Sequence, residues 1–231
     1  MRKHQYDLTK GRILNKLLLI ASPVMATQAF QMAYNLIDMF FVSRIASDAV
    51  AAIGSASLFI LLSGLLMVIA VIGAEIGVSQ NKGKGDMIGA KRFAHNALLI
   101  ALVLGVLTAT LMVLLSESLI ALVSIQEAHI VRDAVVYLRM IGASFPIIFV
   151  SRAMTGIFNG SGNAKLPFHL KMMGLMVNMM VSPVFIFSFN LGVMGAAIAT
   201  IIGHTVTCFL LLFAIKHPKT SPFDDFNLRE V

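Results

Sequence analysis

Charge is what this chain has least of. Only 13% of its 231 residues are Asp, Glu, Lys or Arg, where a soluble domain carries about a quarter. That deficit excludes an ordinary soluble domain. Cysteine is almost missing too: the lone Cys208 lies in an apolar run and forms no disulfide within the chain. There is no GKS/T phosphate loop, no CxxC pair, no HExxH, and no nucleophile–base set or multi-His/acid cluster. Nothing therefore points to an enzyme, and no cofactor is implied.

What is present is apolar. Hydrophobic residues make up 58% of the chain, and the mean hydropathy is +0.88. Several uncharged runs approach the roughly 20 residues that cross a bilayer as a helix. The fold class is therefore all-α, a polytopic membrane protein. The basic start Arg2–Lys16 ahead of an apolar run resembles a signal peptide. The run continues past Leu36, too long for a signal core, and reads as a retained first helix.

Six spans are expected. The first is about 14–42, with no charge between Lys16 and Asp38, and Pro23 should kink it by removing a helical donor. The second, about 50–78, ends in the turn-rich Asn81–Gly89, whose glycines fit no phosphate-loop spacing. The third is about 94–115, followed by a mixed-charge segment, Ser116–Asp133, read as partly an interfacial helix. The fourth, about 134–158, holds Arg139 and Arg152, each expected to snorkel toward its own interface, with a kink at Pro146. Residues 172–215 carry no Asp, Glu, Lys or Arg. As one helix they would reach about 66 Å, twice the hydrocarbon thickness, so they must fold back. The break falls at Asn190–Gly192, giving a fifth span at about 166–189 and a sixth at about 192–215. The domain division is then a segment 1–13, a six-helix transmembrane lobe 14–215 and a polar tail 216–231.

The net charge of +7 does not imply nucleic acid as a partner, because the basic residues sit in short segments between apolar runs. Of the 18 Lys and Arg, 15 fall on the side of the N-terminus, the 2–3 and 4–5 connectors and the tail. Arg44, Arg132 and Arg139 are on the other side. The positive-inside rule then places both termini in the cytoplasm. The lipid bilayer is the first partner, and the plasma (inner) membrane the expected location.

Depth sorts the polar residues. At about 1.5 Å per residue, Asp38 lies roughly 6 Å below Val42 and Thr200 roughly 12 Å below Gly192. Ser182 and Asn178 lie roughly 10 and 16 Å below Phe189. Four oxygen-bearing side chains from the first, fifth and sixth spans thus share the outer half of the bundle. Asn178 and Ser182 are four apart on one helical face. A carboxylate with neutral oxygens suits a hard monovalent cation; a carboxylate alone could instead take up a proton. The bland alternative for Asp38 is an interfacial acid paired with Arg44 or reaching water, and for Asn178 and Thr200 it is interhelical hydrogen bonding. Gln28, Gln31, Tyr34 and Asn35 follow helical spacing on the first span and are candidates for a polar substrate cavity. Gly195, Ala199 and Gly203 form a small-xxx-small stripe that reads as close helix packing. Glu75 reads as a cap and His204 as a packing histidine, with an inner gate and a proton relay as their functional alternatives.

The chain resembles the N-terminal lobe of the MATE (multidrug and toxic compound extrusion) family. The residues that carry the likeness are ASPVMATQAFQMAYNLIDMFFVSRIASDAVAAIG, IFNGSGNAKLP, VNMMVSP and LGVMGAAIAT, in this order over nearly the whole chain. The resemblance implies a secondary transporter that exchanges Na+ or H+ entering the cell for organic, often cationic, compounds leaving it. It implies cation-site roles for Asp38, Asn178 and Thr200, and a gating bend at Pro23. Many members carry an aspartate four residues after the asparagine; here it is Ser182, so one carboxylate stands where there would be two, and the choice between Na+ and H+ stays open. Members normally have two six-helix lobes around a central cavity. The partner implied is a second lobe, either a missing C-terminal half or a homodimer partner, with small organic molecules as substrates. The alternatives are a lipid-linked saccharide flippase and a non-transporting fragment or partner protein.

Overall fold

The computed structural model describes residues 13–44, 47–217 and 220–223. The N-terminal basic segment and most of the tail lie outside these, so the first and last divisions of the expected layout fall there. Every regular element among the described residues is helical.

The chain runs through α1 (Ile13–Ser43), α2 (Ser47–Gly83) and α3 (Met87–Leu114). Then come the short α4 (Ser116–Ala121), α5 (Ala128–Ala143), α6 (Phe145–Gly160), α7 (Lys165–Pro183) and α8 (Gly192–Lys216). Four of these, α2, α3, α7 with its extension and α8, are long and apolar enough to cross a membrane. The pair α5–α6, bent by 49°, makes a fifth. α1, 31 residues long, is the remaining helix of the six expected.

Local chemistry explains the ends. Asp86 caps α3, its carboxylate accepting from the Gly89 N–H at 2.8 Å. The turn expected over 81–89 is shorter than its composition suggests, because α2 continues to Gly83 and α3 starts at Met87. Likewise α7 takes in Lys165–Pro167, since proline is tolerated in a first helical turn. The fourth span is two helices meeting at Ser144, with Pro146 at the start of α6. Pro183 ends the regular part of α7 and is followed by a π-helical turn, Val184–Ser188. Asn190 and Gly192 adopt left-handed φ values of +54° and +53° and reverse the chain into α8. This is where the uncharged run was expected to break, and Asn and Gly are the residues that tolerate such angles.

Packing relies on small residues. Ala90, Ala94, Ala97, Ala101 and Gly105 line the buried side of α3. A Cβ added at Gly105 would stand 2.8 Å from the Pro146 Cα. Gly156 lets α6 approach α2 so closely that a Cβ there would meet the Val71 carbonyl at 2.6 Å. The stripe on α8 does the same: Gly195 lies against the Phe185 backbone and Gly203 against Asn178 and Gly174. Helices without a strong hydrophobic drive between them associate through such contacts. α1 sits at the margin. Of its described side chains only Val42 is fully buried, while Met25, Phe30, Met32 and Leu36 are exposed.

Candidate functional site

The site forms where α1 meets α7 and α8, in the half of the bundle away from the α2–α3 and α6–α7 turns. Its core is a chain of three side chains. Ser182 donates its hydroxyl to the Asn178 amide oxygen at 3.0 Å, and the same hydroxyl stands 3.5 Å from an Asp38 carboxylate oxygen. Ser182 and Asn178 are buried, and Asp38 is half-buried. The spacing of four on α7 aligns the first two. The second contact, across 144 positions of sequence, brings in Asp38 from α1.

Two tyrosines complete the surroundings. Tyr34 lies one turn before Asp38. Its hydroxyl is buried and faces Thr200 and Asn178, short of hydrogen-bonding geometry to either. Tyr137, buried on α5, lies within reach of the Asp38 charge. Thr200 donates to its own helix at the Ala196 carbonyl, 2.9 Å away. It therefore stands beside the site, facing Tyr34, and makes no hydrogen bond to Asp38, Asn178 or Ser182.

The structure thus brings together Asp38, Asn178 and Ser182, with Tyr34 and Thr200 alongside. Arg44, the candidate partner of Asp38, lies over the Phe40 ring at 4.9 Å. Among the expected cavity residues, Gln31 donates to Asn35 at 3.1 Å while its own carbonyl oxygen is buried without a partner. Gln28 and Asn35 are exposed. Pro23 lies inside an unbroken α1, and the Thr27 hydroxyl donates to its carbonyl at 2.8 Å. Glu75 is held by the Asn159 side chain. Chemically, the cluster offers one carboxylate, an amide oxygen, two hydroxyls and a phenol to a small cation or a proton.

Sequence reading missed two features. Tyr137 carried no signal, since nothing in α5 marks it from other aromatics. Arg152, expected at the membrane edge, instead acts electrostatically on Lys171 and His204 within the bundle. Lys171 had been counted with the basic connector residues. Its spacing of seven from Asn178 places both on one face of α7 and was the available clue. Arg139 behaves as expected, reaching Ser116 and Glu117 at 2.7 Å each.

A bundle of helices long and apolar enough to cross a membrane, with a half-buried acid, an amide and hydroxyls converging inside it, defines the class: a helical membrane protein with a polar cluster in its interior. The family follows from comparison. The MatE family profile matches residues 23–184, and the chain belongs to that family. The family is one of membrane transport proteins and not of enzymes. The probable multidrug resistance protein YpnP of Bacillus subtilis is 26% identical over 221 residues, covering 94% of this chain and 49% of YpnP. A solved MATE structure in a bent conformation superposes with a TM-score of 0.88 at 26% identity, over 96% of this chain and 49% of that one. A MOP superfamily transporter from Pyrococcus furiosus, described as having a binding pocket of reverse polarity, gives 0.87 at 27% identity over 96% and 49%. The chain spans about half the length of the curated relatives it matches.

Proposed function

We propose that this chain is the ion-coupling lobe of an efflux transporter that exchanges inward-moving Na+ or H+ for outward-moving organic compounds. The observation that carries the reading is the convergence of Asp38 with Ser182 and Asn178. An acid inside a bundle defaults to an ion or proton pathway. Relatives named as multidrug resistance proteins support export as the direction. In the mechanism, Asp38 takes up the cation or proton when the site opens outward. Asn178, Ser182 and Thr200 replace part of the cation's water shell. Charge neutralisation lets this lobe rock against a second six-helix lobe, and release inward resets the cycle. A bend at Pro23 is the proposed hinge. The distribution of basic residues supports cytoplasmic termini in a plasma membrane.

The test is dye efflux from vesicles under separately imposed Na+ and H+ gradients. The wild-type protein, paired with its second lobe, is expected to respond to at least one gradient. Asp38→Asn is expected to lose that response at unchanged membrane expression. Full efflux by Asp38→Asn would sink the assignment.

A further inference from the structure

A second polar cluster lies about 10 Å along α7 from Asn178, seven residues nearer the α6–α7 turn. Lys171 on α7, Arg152 on α6 and His204 on α8 face one another there closely enough that the Arg152 charge is felt at Lys171 and both charges at His204. The Lys171 ammonium nitrogen is shut off from solvent and has no hydrogen-bond partner. Among the described residues, no carboxylate acts on any of the three.

This is an unusual arrangement for a membrane interior. Like charges repel strongly where the dielectric is low, and a buried ammonium without a counter-charge is costly. Basic groups inside bundles normally pair with acids or line a pathway. Here three helices bring basic groups to one place and none brings an acid. Arg supplies a planar fork that matches carboxylate and phosphate, and Lys a point charge. We infer that Arg152, Lys171 and His204 form a binding site for an oxyanion, a carboxylate or phosphate group. The group belongs either to a soluble organic anion or to an anionic lipid headgroup. The inference rests on the transport reading only for what becomes of the bound anion; binding itself does not depend on it.

The test uses the purified chain in nanodiscs, with carboxyfluorescein as the anionic probe and rhodamine 6G as the cationic one, read by anisotropy. In pure phosphatidylcholine, carboxyfluorescein is expected to bind the wild type, and roughly tenfold or more weakly to Lys171→Met and Arg152→Met. Lys171→Arg should retain binding, and rhodamine 6G should not distinguish the variants. Without ligand, Lys171→Met should melt no lower than the wild type, because it removes an unpaired buried charge. The anion should raise the melting temperature of the wild type and of Lys171→Arg, and not that of Lys171→Met or Arg152→Met. If carboxyfluorescein fails to bind but phosphatidylglycerol raises the wild type's melting temperature and not that of Lys171→Met, the site stands and its ligand is a lipid. Equal response of the wild type, Lys171→Met and Arg152→Met to both anions would overturn the proposal. That result would leave efflux and its dependence on Asp38 untouched, so the two readings fail separately.

Discussion

Ser182 has one hydroxyl proton and two acceptors, Asn178 at 3.0 Å and Asp38 at 3.5 Å. Its preference for the amide leaves Asp38 weakly held and open to a cation or proton. Ser182→Ala should therefore cost about 1 kcal/mol of stability, the worth of one buried hydrogen bond, and weaken ion coupling without abolishing it. A thermal melt together with the ion-concentration dependence of efflux checks both. Ser182→Asp places a second carboxylate beside Asp38. Two acids that close cannot both stay ionised without a shared cation or proton. The variant is expected to bind Na+ about tenfold more tightly, a gain of about 1.4 kcal/mol; unchanged Na+ dependence would count against the geometry. At this scale the sequence was informative for a simple reason. A single charge in an apolar run is conspicuous, so Asp38 stood out, and counting depth brought Asn178 and Ser182 level with it. Thr200 was expected to join them, yet its proton goes to Ala196, a local choice that depth counting does not see.

Helix packing positions these side chains. Gly203 on α8 faces Asn178 so closely that an added Cβ would lie 2.8 Å from the Asn178 Cβ and 2.9 Å from the Gly174 carbonyl. Gly203→Ala should push α7 away from α8, costing about 1–3 kcal/mol through overpacking. It should impair ion coupling more than Gly54→Ala, where nothing lies within 4 Å. Melting temperatures and efflux of the two variants measure the contrast; equal behaviour would contradict the close packing. Element ends were less legible than element cores. The fourth span broke at Ser144 and the fifth loosened into a π-helical turn after Pro183. Composition marks both prolines, but whether a proline kinks, breaks or merely widens a helix depends on what packs around it. Pro23 shows this, sitting in a helix that runs on without interruption. Lys171 was misplaced for a related reason. Counting basic residues by side groups Lys171 with the connector, although the expected fifth span at about 166–189 already contains it, as α7 does.

At the scale of the whole chain, the 231 residues correspond to about half the length of the relatives. Its margin helix α1 carries Asp38 and Tyr34 while exposing Met25, Phe30, Met32 and Leu36. The ion cluster lies between α1, α7 and α8 and the basic cluster between α6, α7 and α8, and the proposed export would add a second lobe to them. Purified particles that export dye are accordingly expected to contain two lobes, by mass photometry in lipid discs. A lone 231-residue monomer that exports would contradict this. The central claim, that Asp38 is the group that answers the coupling ion, can be tested without the second lobe. Difference infrared spectroscopy of the chain in a lipid film, on exchanging Na+ for a large inert cation and on changing pH, reports carboxyl groups that change state. The account predicts a carboxyl band that responds to Na+ or to pH and disappears in Asp38→Asn. The same band persisting in Asp38→Asn would contradict it.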